Sequence, residues 1–77
     1  MAVGKYYFDK ERYVAAANRF QVVLDKYQTT PAIEEALYYM AASFAKLGIK
    51  SSAHEMAVLL RHNFPKSEWS SKVEEFL

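Results

Sequence analysis

His54 and His62 are the two imidazoles of the chain, and metal binding or proton transfer is the first chemistry they could serve. They stand eight residues apart on one expected helix, whereas two ligands on one helical face need a spacing of three or four. They read instead as surface or partly buried side chains, His62 being favourably placed near a helix C-terminus. The neighbouring carboxylates Glu34–Glu35 and Glu74–Glu75 point about 100° apart on a helix, so they form no proton-sharing dyad. No serine has the strand–turn–helix elbow or the Gly-x-Ser-x-Gly context that exposes a nucleophile. Two glycines cannot build a phosphate-cradling loop, and zero cysteines exclude disulfides, thiolate ligands and thiol nucleophiles within the chain. No catalytic residue, metal or cofactor is expected. A binding or scaffold module remains.

Such a module works through side chains held on a frame, and the composition says what the frame is. At 77 residues the chain is one small domain or part of a larger one. Hydrophobic residues make up 52% and aromatics 16%, too apolar for disorder, while two Gly and two Pro leave little material for the turns of a β-fold. The formal net charge of +1 gives no electrostatic reason to expect nucleic acid or an anionic membrane surface. The longest apolar run, Ala36 to Ala42, is far short of the ~18 residues of a spanning helix. The opening residues, Met1 to Tyr7, do not read as a signal peptide.

Breaks at Asp9–Glu11, Gln28–Pro31, Gly48–Lys50 and Asn63–Ser67 separate runs that read as helices, with residues 68–76 making the fifth. From Tyr13 to Tyr27, the residues Ala16, Phe20, Val23, Leu24 and Tyr27 fall on one stripe of 3.6-residue period. The next run has Thr30 as N-cap, Pro31 at its first position and Glu34 and Glu35 in its first turns. Its core stripe is Leu37, Met40, Ala41 and Phe44, and Gly48 ends it. A fourth helix is expected to begin at Ser51 or Ser52, where Ser52-x-x-Glu55 has the form of a capping box. Ala53, Met56, Ala57, Leu60 and Phe64 make its stripe; Ser67 caps the last helix, on which Trp69, Val73, Phe76 and Leu77 share a face.

A shift of 37 residues lays Gly4 on Ala41, Tyr7 on Phe44, Glu11 on Gly48, Ala16 on Ala53 and Tyr27 on Phe64. Each unit is a helix pair in which a small residue lets two helices approach closely. The pattern resembles the tetratricopeptide repeat: Leu37, Met40, Ala41 and Phe44 match its first half, Ala53 and Pro65 its second. The resulting expectation is an all-α, tetratricopeptide-like helix-pair solenoid fragment of about five helices. Residues 1–28 form a partial pair with a truncated first helix, 29–65 a second pair and 66–77 a C-terminal capping helix. It reads as the C-terminal end of a longer array. Apolar side chains near the start (Val3, Tyr6, Tyr7, Phe8) lack a covering repeat and could support self-association through residues 1–8.

The wording of the repeats is more specific still. Arg12-Tyr13-Val14-Ala15-Ala16-Ala17-Asn18-Arg19-Phe20, then Tyr27 to Ala32 with Glu35-Ala36-Leu37, resembles the last repeat of the BamD (ComL) lipoprotein family, and His62 to Trp69 resembles that family's C-terminal segment. The resemblance implies a non-catalytic scaffold in the machinery that inserts β-barrels into the bacterial outer membrane. It also implies a lipid-anchored protein at the periplasmic face, of which this stretch is a soluble part that does not itself insert. The implied partners are the POTRA region of BamA and the small lipoprotein BamE, with the Asn18–Arg19 pair at the BamA contact. Arg19 has the planar fork that suits a partner carboxylate, though its position also fits a solvated charge. The alternative is a tetratricopeptide adaptor that holds an extended peptide in its concave groove. That groove would be lined by Tyr38, Ala42, Ala45 and Lys46, with Glu35 and Tyr39 at the flank. Tyr38 could equally pack against a preceding helix.

Overall fold

A computed structural model describes residues 2–26 and 32–77 of the chain. The order is α1 (Ala2–Asp9), α2 (Tyr13–Lys26), α3 (Ala32–Lys46), α4 (Lys50–Asn63) and α5 (Glu68–Lys72), closing in a 3₁₀ turn over Val73–Phe76. Among the described residues there is no strand. The architecture is all-α, with tetratricopeptide-like helix pairs, and each helix packs mainly on its neighbours in sequence. The expected cap Thr30, the first-turn Pro31 and the stripe residue Tyr27 lie outside the described residues.

The period-3.6 stripes become the core. Ala16, Phe20 and Val23 of α2 meet Ala36 and Met40 of α3, with Phe44, Tyr39 and Leu24 packed against them. A second cluster joins Ile33 and Leu37 of α3 to Ala57 and Leu60 of α4 and to Val73 of the 3₁₀ turn. Phe20 is fully buried, a burial that contributes on the order of 1.5–3 kcal/mol. It fits because Gly4 faces it: a Cβ on Gly4 would stand 2.7 Å from the Phe20 Cζ.

The two helix-pair turns have one design. In the second, the Gly48 N–H donates to the Ala45 carbonyl (3.1 Å) and the Ile49 N–H to the Phe44 carbonyl (2.9 Å). Gly48 sits at φ +81°, so the turn is a Schellman motif with its left-handed residue at the glycine. In the first, Glu11 at φ +60° takes that place. Its N–H donates to the Phe8 carbonyl (3.0 Å) and the Arg12 N–H to the Tyr7 carbonyl (2.9 Å). Asp9 and Lys46 end helices, and Tyr13 and Lys50 begin them, at the same 37-residue offset.

Two boundary expectations are corrected. The fourth helix starts at Lys50, with Ile49 in the cap position and no side-chain cap, so Ser51 and Ser52 lie inside its first turn. The Schellman turn is the cause: Ile49 closes α3 through its N–H while its carbonyl already accepts from the Ala53 N–H (3.1 Å). At the far end Ser67 does cap α5, its Oγ accepting from the Trp69 N–H at 3.1 Å. Leu77, however, is exposed rather than aligned with Trp69, Val73 and Phe76. From Val73 the winding tightens to 3₁₀, which stacks residues three apart (Val73 and Phe76) and turns the next one outward.

Candidate protein-contact surface

α2 buries one stripe and offers the rest of its circumference to solvent. Asn18 lies on that open side, where two shallow grooves meet. One, of about 250 Å³, runs between α2 and the end of α3 over Ala17, Met40, Phe44 and Ile49. The other, of about 530 Å³, follows the first turn past Glu11, Arg12 and Tyr13. Val14, Asn18 and Leu47 border both. Three of the surrounding side chains are apolar yet open: Val14 is 61% exposed, Ile49 44% and Leu47 38%. An amide within a rim of open aliphatic side chains has the composition of a contact surface.

Arg19 is exposed as well, but one residue further on the helix turns it away from Asn18. Its guanidinium carbon lies 5.9 Å from the centroid of the Tyr7 ring on α1. A cation–π contact at an exposed site contributes about 0.5–1 kcal/mol. Asn18 and Arg19 therefore address two directions: one towards the α3–α4 turn, the other towards α1.

The α3 candidates divide in the same way. Tyr39 stacks on Phe20 (centroids 5.3 Å apart, planes 9° apart), meets the edge of Phe8 at 5.2 Å, and has the Lys5 Nζ 5.8 Å from its ring. Tyr38 touches Tyr39 edge-on at 5.2 Å and packs on Trp69 at 5.2 Å and Phe76 at 6.2 Å. Burial raises the pKa of the Tyr38 phenol above its ordinary 10.0, and the carboxylate of Glu75 adds to the effect. Glu35 is half-buried, and Lys46 is exposed in the last turn of α3. On the stripe expected to line a concave groove, Tyr38 is half-buried against Trp69 and Phe76 of the C-terminal segment and Ala42 is buried, while Lys46 is exposed. Of the six sequence candidates, the structure joins Tyr38 to Tyr39 and leaves Asn18, Arg19 and Lys46 exposed.

The apolar rim around Asn18 was not legible in the sequence. Val14 falls off the core stripe of α2, and Leu47 and Ile49 flank Gly48; only the shape of the turn brings them together. Among the described residues no cluster of three or more His, Asp or Glu could hold a metal ion. No helix among them is long and apolar enough to cross a membrane.

The fold defines the class: a module of tetratricopeptide-like helix pairs. Residues 1–59 match the YfiO family, described as an outer membrane lipoprotein. The chain is 41% identical over 71 residues to outer membrane protein assembly factor BamD of Rickettsia prowazekii, which covers 92% of this chain and 28% of that protein. Against the BamD of Neisseria meningitidis serogroup A it is 40% identical over 67 residues, 87% of this chain and 25% of the relative. Against that of Caulobacter vibrioides it is 32% identical over 69 residues, 90% of this chain and 23% of the relative. The chain belongs to this BamD (YfiO) family of outer membrane lipoproteins and spans about a quarter of the length of these relatives. No solved structure matches it significantly.

Proposed function

We propose that this chain is a non-catalytic scaffold element of outer-membrane β-barrel assembly, acting through protein–protein contact at the periplasmic face. The observation that carries the reading is the surface around Asn18, an exposed amide rimmed by open Val14, Leu47 and Ile49 on a hydrogen-bonded turn. Family membership and the naming of the relatives as outer membrane protein assembly factors support it. The partner is the POTRA region of BamA, met at the Asn18 surface and, on the α1 side of the same helix, by Arg19, with BamE close by.

Calorimetry of the 77-residue chain against a POTRA-containing BamA fragment tests this. Arg19 lies off the buried stripe and makes one exposed contact with the Tyr7 ring, so Arg19→Ala should leave the chain folded with a midpoint lowered by only a few degrees, while binding weakens. The loss is about 2–5 kcal/mol if the guanidinium pairs in a desolvated site, and under about 1 at a rim. Arg19→Glu should be worse, because repulsion replaces attraction. Wild-type affinity in a folded Arg19→Glu would overturn the contact. The peptide-groove reading instead places binding on Glu35, Tyr38, Tyr39 and Lys46. It expects Tyr38→Ala and Lys46→Ala to abolish binding and Arg19→Glu to be silent. The packing of Trp69 and Phe76 on Tyr38 works against it.

A further inference from the structure

The 37-residue register has a consequence at the C-terminal end. In the first helix pair, Phe8 fills the space where α1, α2 and α3 meet. Its ring is in edge contact with Tyr13 (5.4 Å, 70°) and with Tyr39 (5.2 Å, 73°). Thirty-seven residues on, the same three positions are Ala45, Lys50 and Phe76. The central ring has become a methyl group, and a cavity of about 420 Å³ opens there, lined by Ala45, Lys50 and Phe76 together with Ala53, His54, Glu75 and Leu77.

We propose that this cavity is a binding site for an aromatic side chain, tyrosine above all, carried by a partner polypeptide. Its counterpart in the first unit shows what the frame accepts, since helices of the same pitch and turn geometry close there around the Phe8 ring. The space is ample, as an apolar cavity of about 150 Å³ already holds benzene. Ala45, Ala53 and Phe76 supply an apolar wall. The remaining groups select among rings. Lys50 donates hydrogen bonds and Glu75 accepts them, so a phenolic hydroxyl, which does both, finds a partner of each kind where leucine or phenylalanine finds none. This site lies apart from the Asn18 surface and does not depend on the BamA reading.

The test is a nuclear magnetic resonance titration of the 77-residue chain with N-acetyl-tyrosinamide, N-acetyl-phenylalaninamide and N-acetyl-leucinamide. The tyrosine probe should give saturable shifts at Ala45, Ala53 and Phe76 with a dissociation constant of about a millimolar. The leucine probe should bind about fivefold or more weakly. Lys50→Ala should weaken binding of the tyrosine probe towards the level of the phenylalanine probe and leave the phenylalanine probe unchanged. Ala45→Phe restores the ring in cis, so it should abolish the shifts and raise the thermal midpoint. If circular dichroism shows that Ala45→Phe does not fold, Ala45→Leu fills the same space with less bulk. The proposal is overturned by unsaturable or absent shifts, by equal binding of the leucine probe, or by shifts that survive in a folded Ala45→Phe or Ala45→Leu. Shifts at these residues that need no probe, grow with protein concentration and vanish in Tyr6→Ala would assign the cavity to a second copy of the chain and overturn it as well.

Discussion

Gly4→Ala sets two opposing effects against each other at one atom. Helix propensity alone favours alanine over glycine within a helix by about 1 kcal/mol. The packing says otherwise. The added Cβ would lie 2.7 Å from Cζ, 2.8 Å from Cε1 and 3.0 Å from Cε2 of Phe20, where carbon–carbon contacts settle at about 3.5–4.0 Å. Either the ring or α1 must give way by nearly an ångström. Phe20 cannot easily withdraw, because it is fully buried and its other face is stacked on Tyr39 at 5.3 Å. Overpacking of this kind costs about 1–3 kcal/mol. Offset by the gain in propensity, the expected result is a net destabilisation of up to about 2 kcal/mol. For a domain of this size each kcal/mol lowers the thermal midpoint by about 4–8 °C. Circular-dichroism melts and urea titrations of the wild type, Gly4→Ala, Phe20→Leu and the double variant form the decisive set. Phe20→Leu destabilises by itself, but it should remove the clash, so that adding Gly4→Ala to it becomes neutral or favourable. A higher midpoint for Gly4→Ala in the wild-type background would refute the close approach of α1 to Phe20.

The paired turns give the next expectation: Glu11→Gly relieves a left-handed non-glycine residue and should leave stability unchanged or raise it by up to about 1 kcal/mol in a urea titration. Gly48→Ala should cost about 1–2 kcal/mol through its backbone alone, since nothing lies within 4 Å of the new Cβ. Burial, chiefly, and Glu75 hold the Tyr38 phenol neutral above its ordinary 10.0. A pKa raised on folding contributes stability that is present below pH 10 and is lost as pH climbs through the folded value. An ultraviolet titration should therefore show a late-ionising component that disappears in Tyr38→Phe. Val3 and Tyr6 leave an apolar strip open on α1, Tyr6 being 55% exposed. Sedimentation should accordingly show association at high protein concentration that weakens in Tyr6→Lys; a strict monomer throughout would count against it.

Much of the frame was legible because it rests on periodicity. Ala16, Phe20 and Val23, and then Leu37, Met40 and Ala41, are buried as their spacing requires. The Ser67 cap is local chemistry, readable from type and position. What escaped depends on turn geometry and on contacts distant in sequence. Ser52-x-x-Glu55 has the composition of a capping box, yet the hydrogen bonds of Ile49 had already fixed the helix start. Tyr38 reads equally well as a groove residue or as one packed on a preceding helix; in the structure it packs on the following segment, through Trp69 and Phe76. For the candidate contact surface, Asn18 and Arg19 are pointed to only through the family resemblance, and the Val14–Leu47 rim exists only once the turn is closed.

The chain contains one tryptophan, and its location gives the molecule an optical signature of its own. Trp69 lies 5.2 Å from Tyr38 and 5.9 Å from Tyr39, so light absorbed by these phenols passes to the indole and leaves as tryptophan emission. Lys72, one turn further along α5, has its ammonium 4.3 Å from the centroid of the Trp69 ring, while the docked face of the indole is shielded from water by the two phenols. Detachment of α5 would release tyrosine fluorescence and move the indole spectrum even with α1 to α4 still helical. The chain therefore distinguishes undocking of its last segment from unfolding of its helix pairs without any added label.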